Sequence, residues 1–227
     1  MSALNTHNIF FSLMKNINRH IITGAVIIAE YEEMLQRLKN YLIIEALEDG
    51  LTAKLSTNGC KYSTDGVRWT DLAAGTATPA INTGEKLYFK AIGLTPTSNA
   101  GIGTFTVSKQ FNLSGNCMSM LFGDEAESNL DLTGKNYAFL NLFYNCTTLK
   151  SVSAEFLPAT TLAFRCYYRM FYRCTRLTTA PELPATTLAN GCYSNMFYNC
   201  NSLTTAPELP ATTLADNCYP YMFYNCN

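Results

Sequence analysis

Charge is scarce in this chain. Asp, Glu, Lys and Arg make up 15% of its 227 residues and nearly cancel, leaving a formal net charge of −1. A balance of that kind supplies no bulk attraction to nucleic acid. Histidine is scarcer still: His7 and His20 are the two, both near the N-terminus. The remainder therefore lacks the commonest general base and metal ligand. Long apolar runs are missing as well. The best, "IITGAVIIA" at 21–29, falls short of the roughly 20 residues that span a bilayer. No CxxC pair and no GxSxG occurs, and no Cys/His couple is expected when both histidines lie so early. "GIG" at 101–103 lacks the third glycine and the following helix of a phosphate loop. In "GDEAES", Asp124, Glu125 and Glu127 lack the alternating spacing and central glycine of a calcium loop, so a solvated acidic turn is expected. These absences predict a non-enzymatic protein without cofactor or metal.

What is present is repetition. "LTTAPELPATTLA" runs from Leu177 to Ala189 and again from Leu203 to Ala215. Residues 166–191 and 192–217 are identical at 19 of 26 positions. A period in the twenties signals stacked units, each burying its apolar face against the next. The nine cysteines follow the same rule: Cys166, Cys192 and Cys218 are 26 apart, as are Cys174, Cys200 and Cys226. A residue locked to a repeat occupies one repeated environment. Buried free thiols are preferred over disulfides, with metal binding the weakest reading. Cys60 stands outside the repeats, and the odd count fits a reducing compartment.

Residues 1–42 are expected to be helical. Tyr31, Met34, Leu35, Leu38, Tyr41 and Leu42 fall on one stripe, and Ile9, Phe10, Leu13 and Ile17 form a weaker one upstream. Two readings stand. The helix packs on its own domain, or it anchors and oligomerises the protein because so apolar a terminus needs covering. From Met14, "MKNINRHIITGAVIIAE" has the outline of a signal peptide, but thirteen residues precede it and the helical pattern continues from it, so export is the weaker reading. Residues 43–115 alternate as short strands between turns, predicting a small antiparallel sandwich. Asp65-Gly66 is expected to form a two-residue hairpin turn, placing Tyr62 opposite Trp69.

From Cys117 onward the repeats are expected to place Cys192, Tyr193, Met196, Phe197 and Cys200 on one buried helix face, with Leu203, Ala206, Leu209 and Leu214 completing the core. "MFYNCNSLTTAPELP" (196–210) resembles the BspA-like leucine-rich repeat, over about 135–227. The resemblance implies a curved solenoid that binds surface ligands. Pro181 and Pro207 depart from it, because proline cannot donate in a strand ladder, so strands no longer than "LTTA" are expected. The layout "EALEDGLTAKLS…YSTDG…W", then "NCMSMLFGD", then "LPATTLA" repeats is similar to proteins of gut Bacteroidales and their tailed, crAss-like phages.

The fold class expected is thus α+β: a helical segment (1–42), an antiparallel β-sandwich (43–115) and a leucine-rich-repeat solenoid (116–227). On a helical wheel Ser194, Asn195 and Asn199 face solvent, Arg165, Arg169 and Arg173 form a stripe, and Tyr144, Tyr172, Tyr198 and Tyr224 make an outer ladder. Tyrosine beside Arg and Asn suits carbohydrate or anionic groups, and the alternative is that the tyrosines only cover gaps between repeats. The function expected is a structural phage virion protein, a head or tail fibre or accessory subunit. Its N-terminal segment would join other virion proteins or further copies of itself, and its repeats would meet a surface glycan or protein. The alternative is a bacterial cell-surface adhesin. The chain stops at Asn227, partway through a repeat, so Met222, Phe223 and Cys226 are expected to be bared unless further repeats or another chain cover them.

Overall fold

The computed structural model describes residues 24–91, 93–98 and 100–227. Its centre is a six-stranded mixed sheet. Helix α1 (Gly24–Leu38) precedes β1 (Leu42–Ala46), β2 (Ala53–Leu55), β3 (Cys60–Ser63), β4 (Thr70–Leu72) and β5 (Lys86–Ala91). There follow β6 (Phe105–Val107), β7 (Phe111–Gly115), the one-turn α2 (Ser119–Phe122), a 3-10 turn (Gly123–Ser128), β8 (Leu149–Val152) and a second 3-10 turn (Ala154–Phe156). The strand order is β4-β3-β5-β1-β7-β8, with β2 and β6 forming a separate pair.

Strand β1 is central and buried on both faces, as its continuous apolar run "LII" requires. Leu42, Ile44 and Ala46 enter the main core, while Ile43 packs with Tyr88 against Met34, Leu38 and Tyr41. The two-residue alternation of a strand thus serves two cores. Gly115 ends β7 at φ +80°, where a Cβ would lie 1.9 Å from the Tyr41 carbonyl oxygen, so only glycine fits beside β1.

Several expectations are corrected here. The helix ends at Leu38, so Tyr41 and Leu42 are not helical; Leu42 begins β1. The upstream stripe of Ile9, Phe10, Leu13 and Ile17 lies outside the described residues. The β region is not a small antiparallel sandwich, because it is mainly one six-stranded sheet that β8 joins in parallel from within the repeats. In the β3–β4 hairpin Tyr62 pairs with Thr70 and not Trp69. The cause is the Asp65 carboxylate, which accepts from the Val67 and Arg68 amides and draws them into a longer loop.

The α+β class with a leucine-rich-repeat solenoid is overturned as well: the described residues are mostly sheet and turns, with two short helices. Beyond β8 the described chain holds no α-helix and no strand. "LTTA" contributes one isolated bridge, Ser151 to Thr179. The stretches expected to be helical are chains of turns, with a left-handed residue every fourth position: Arg165, Arg169 and Arg173, or Gly191, Asn195 and Asn199. Positive φ interrupts helical hydrogen bonding at each of these points. A four-residue spacing places side chains on one side in either conformation, so Cys192, Tyr193, Met196, Phe197 and Cys200 are all buried as expected. Ser194, expected to face solvent, is buried too. Leu203 is buried, but Ala206, Leu209 and Leu214 are exposed, whereas Met222 is buried and Phe223 half-buried.

The turns are stacked in four tiers, at 137–146, 165–174, 191–200 and 217–226. Within the second tier, amides alternate in their partners. Those of Cys166, Tyr168, Met170 and Tyr172 close turns onto the residue three before, whereas those of Tyr167, Arg169, Phe171 and Arg173 donate to Cys192, Ser194, Met196 and Tyr198 of the next tier. Every amide in the row is thus used. Phe143, Phe171, Phe197 and Phe223 stack at 5.6–5.9 Å, and Tyr167, Tyr193 and Tyr219 at 5.7–5.8 Å. Phe105 of β6 stacks on Phe143 at 5.3 Å, and its amide donates to Leu142, so the sheet caps the first tier.

Candidate functional site: an arginine and tyrosine ridge

The same period that stacks phenylalanines inside stacks tyrosines outside. Tyr144, Tyr172, Tyr198 and Tyr224 form a column with centroids 5.0, 4.8 and 4.8 Å apart and planes within 16° of parallel. Tiers joined by backbone hydrogen bonds sit about 4.8 Å apart. That is half the separation expected of packed helices, and it closes the rings face to face. Among the described residues the four hydroxyls have no hydrogen-bond partner in the protein.

The second tier crosses this column with arginine. The Arg165 guanidinium lies 5.2 Å from the Phe164 ring and 5.3 Å from Tyr168. Arg169 lies 4.9 Å from the same Tyr168 ring and 5.4 Å from Tyr172, which Arg173 approaches at 5.9 Å. Aromatic and guanidinium groups thus alternate along one tier, within the range of cation–π attraction. All three arginines occupy left-handed positions, with φ from 50° to 58°, so their shared direction comes from three successive turns and not from a helix. Gly191 of the next tier leaves room: a Cβ there would lie 2.9 Å from the Arg165 Cγ. Among the described residues no carboxylate pairs with these three arginines. The Arg169 Nε is buried and has no acceptor.

The other expected residues take neighbouring places. Asn195 and Asn199 occupy the third-tier positions of Arg169 and Arg173 and are half-buried. Asn199 accepts a hydrogen bond from Asn225 at 3.0 Å, and Asn195 donates to Ser194 at 2.9 Å. The residues assigned to oligomerisation are used within the chain: Met34, Leu38, Tyr41 and Leu42 are buried, and Tyr31 and Leu35 pack partly against them. The acidic turn is no simple solvated loop. Asp124 accepts from Lys90 at 2.7 and 2.8 Å and from the Tyr41 hydroxyl at 2.7 Å, while Glu127 accepts from Asn40. Lys90 also lies 4.3 Å from the Trp69 ring centroid. Among the described residues no cluster of His, Cys, Asp and Glu could hold a metal ion, and no helix is long and apolar enough to cross a membrane. The cysteines are free; eight are buried and Cys226 is half-buried.

Sequence reasoning missed the turn-built backbone, although a signal was present. Asn141 and Asn145, then Gly191, Asn195 and Asn199, then Asn217 and Asn225, all fall on a four-residue grid, and Asn and Gly are the residues that best tolerate positive φ. The arginines at 165, 169 and 173 obscured it. No family model matches the chain, and neither a curated protein nor a solved structure does.

Proposed function

We propose that this chain is a non-enzymatic structural and binding protein of a tailed-phage virion, a fibre or accessory subunit of head or tail. The observation that carries the binding role is the ridge itself. A rigid stack holds unpaired guanidiniums and unpartnered phenol hydroxyls in register on one outer surface, prepared for a ligand before it arrives. The layout resembles proteins of both gut Bacteroidales and their tailed phages. What favours the virion over the cell surface is the apolar start of the chain, the weakness of its export signal and the free thiols, which suit assembly in a reducing compartment. In this reading the N-terminal region attaches the protein to its assembly, and the tiers meet a glycan or protein on a cell surface. The stripe from Met34 to Leu42 is consumed inside the chain, so attachment uses the outer side of α1, where Ile28 is exposed, and the residues before it.

Mass spectrometry of purified virions tests the assignment. The protein is expected among the virion components at a stoichiometry that is fixed from one preparation to the next. Its recovery from host outer-membrane fractions alone would replace this reading with that of a bacterial surface adhesin.

A further inference from the structure

Resting on the binding role above, we infer that the ridge takes an acidic polysaccharide, held through its anionic groups by Arg165, Arg169 and Arg173. Sugar rings stacked on the inner tyrosines, Tyr172 and Tyr198, play no part in holding it. The column decides against stacking. Tyr172 lies between Tyr144 at 5.0 Å and Tyr198 at 4.8 Å, and Tyr198 lies between Tyr172 and Tyr224 at 4.8 Å. Both faces of each inner ring are covered, leaving edges and hydroxyls to the outside. The same covering denies nucleic-acid bases the open platforms that single strands need, and a chain of net charge −1 adds no general attraction to phosphate.

The arginines point to an anion. Three like charges share one tier, flanking the same rings, without a carboxylate among the described residues to neutralise them. Their mutual repulsion is relieved when an anion binds. A guanidinium lying over a ring keeps its in-plane N–H donors free for a carboxylate or sulfate. The Arg169 Nε adds a buried donor without an acceptor, a group whose desolvation cost an incoming oxygen recovers. The three positions repeat every four residues along the tier, so the matching ligand is one whose charges also repeat. The column's hydroxyls and the Asn195 and Asn199 amides next to the arginines offer neutral partners for sugar hydroxyls.

The test measures binding of the full chain to dextran, dextran sulfate, polygalacturonate and a single-stranded polynucleotide of similar length, by surface plasmon resonance at two salt concentrations. Binding to either acidic polysaccharide, with neutral dextran inert, is expected, and the sulfate and carboxylate arms identify which anion is preferred. Replacing the three arginines together with alanine is expected to weaken this binding by about tenfold or more. The triple lysine variant, which keeps charge but loses the planar fork, should recover only part of it. A melting curve verifies that each variant folds. Equal binding to neutral dextran, tighter binding to the polynucleotide, no binding to any polymer, or a folded alanine variant that binds as well as the parent would each overturn the inference. None of these outcomes bears on whether the protein is found in virions.

Discussion

Asn141 sits at φ +57° with its side-chain oxygen buried and without a partner. It shows how the tiers are made: the backbone must turn left-handed there, and the side chain is tolerated more than used. Glycine would remove both the backbone strain and the unsatisfied acceptor, while giving up some entropy in the unfolded chain. Asn141→Gly is expected to stabilise the protein by up to about 1 kcal/mol. Asn141→Val, β-branched at a left-handed position, should cost about 2 kcal/mol. Urea midpoints of the two variants check this. Midpoints that shift together, or a valine variant as stable as the parent, would show that the left-handed residues do not limit the turns.

At the scale of elements, one contact clasps α1 and the sheet to the turn at Gly123–Ser128. The Asp124 carboxylate gathers Lys90 from β5 and Tyr41 from the bend between α1 and β1, with Trp69 against the lysine. Partial burial opposes ionisation of Asp124, but the hydrogen bonds from Lys90 and Tyr41 and the lysine's charge outweigh it and hold the carboxyl below its ordinary value. A carboxylate easier to ionise when folded contributes stability that is complete above its unfolded value, near 4. That contribution is lost as pH falls through the lower folded value. Stability is therefore expected to decline below about pH 4, and the decline should be shallower in Asp124→Asn. Thermal melts of parent and variant between pH 6 and 2 measure the difference. Superimposable acid limbs would mean that the clasp is not ionic.

Over the whole molecule one continuous apolar cluster extends from Leu42 in β1 to Met222 in the fourth tier. Phe105 and Phe143 carry it across the junction between sheet and tiers. Cooperative unfolding should follow, and the thiols report on it. Burial pushes Cys60 and Cys200 up to about 12 and Cys192 to about 11. A thiol so raised is held protonated by folding, so its contribution is whole below the unfolded value near 8.5 and lost as pH rises toward the folded value. With a thiol-reactive dye at pH 8, Cys226 is expected to react first, and the buried thiols together at the rate of global opening. Early labelling of Cys174 or Cys200 would show the tiers opening one by one. Stability should also fall above about pH 8.5.

The repeat, its register and the buried Cys, Tyr, Met and Phe positions of each tier were legible in the sequence, unlike the exposure of Ala206, Leu209 and Leu214 or the burial of Ser194. A 26-residue identity places equivalent side chains in equivalent surroundings. For the same reason the tyrosine column and the arginine row could be named from the sequence. The conformation beneath them could not. Helix and chained turns share a four-residue spacing, and only φ, positive at Arg165, Arg169 and Arg173, separates them. That choice is made by hydrogen bonds from tier to tier, such as Tyr167 to Cys192, between residues 25 apart in the chain. It brings the tyrosines to about 5 Å, covers their faces and leaves arginine to meet a ligand. The parallel addition of β8 to β7 was likewise decided by tertiary contacts, whereas the loop that moves Tyr62 opposite Thr70 is closed locally by the Asp65 carboxylate. For the tiers and for β8, local propensity allowed two answers, and pairing with a distant segment selected one.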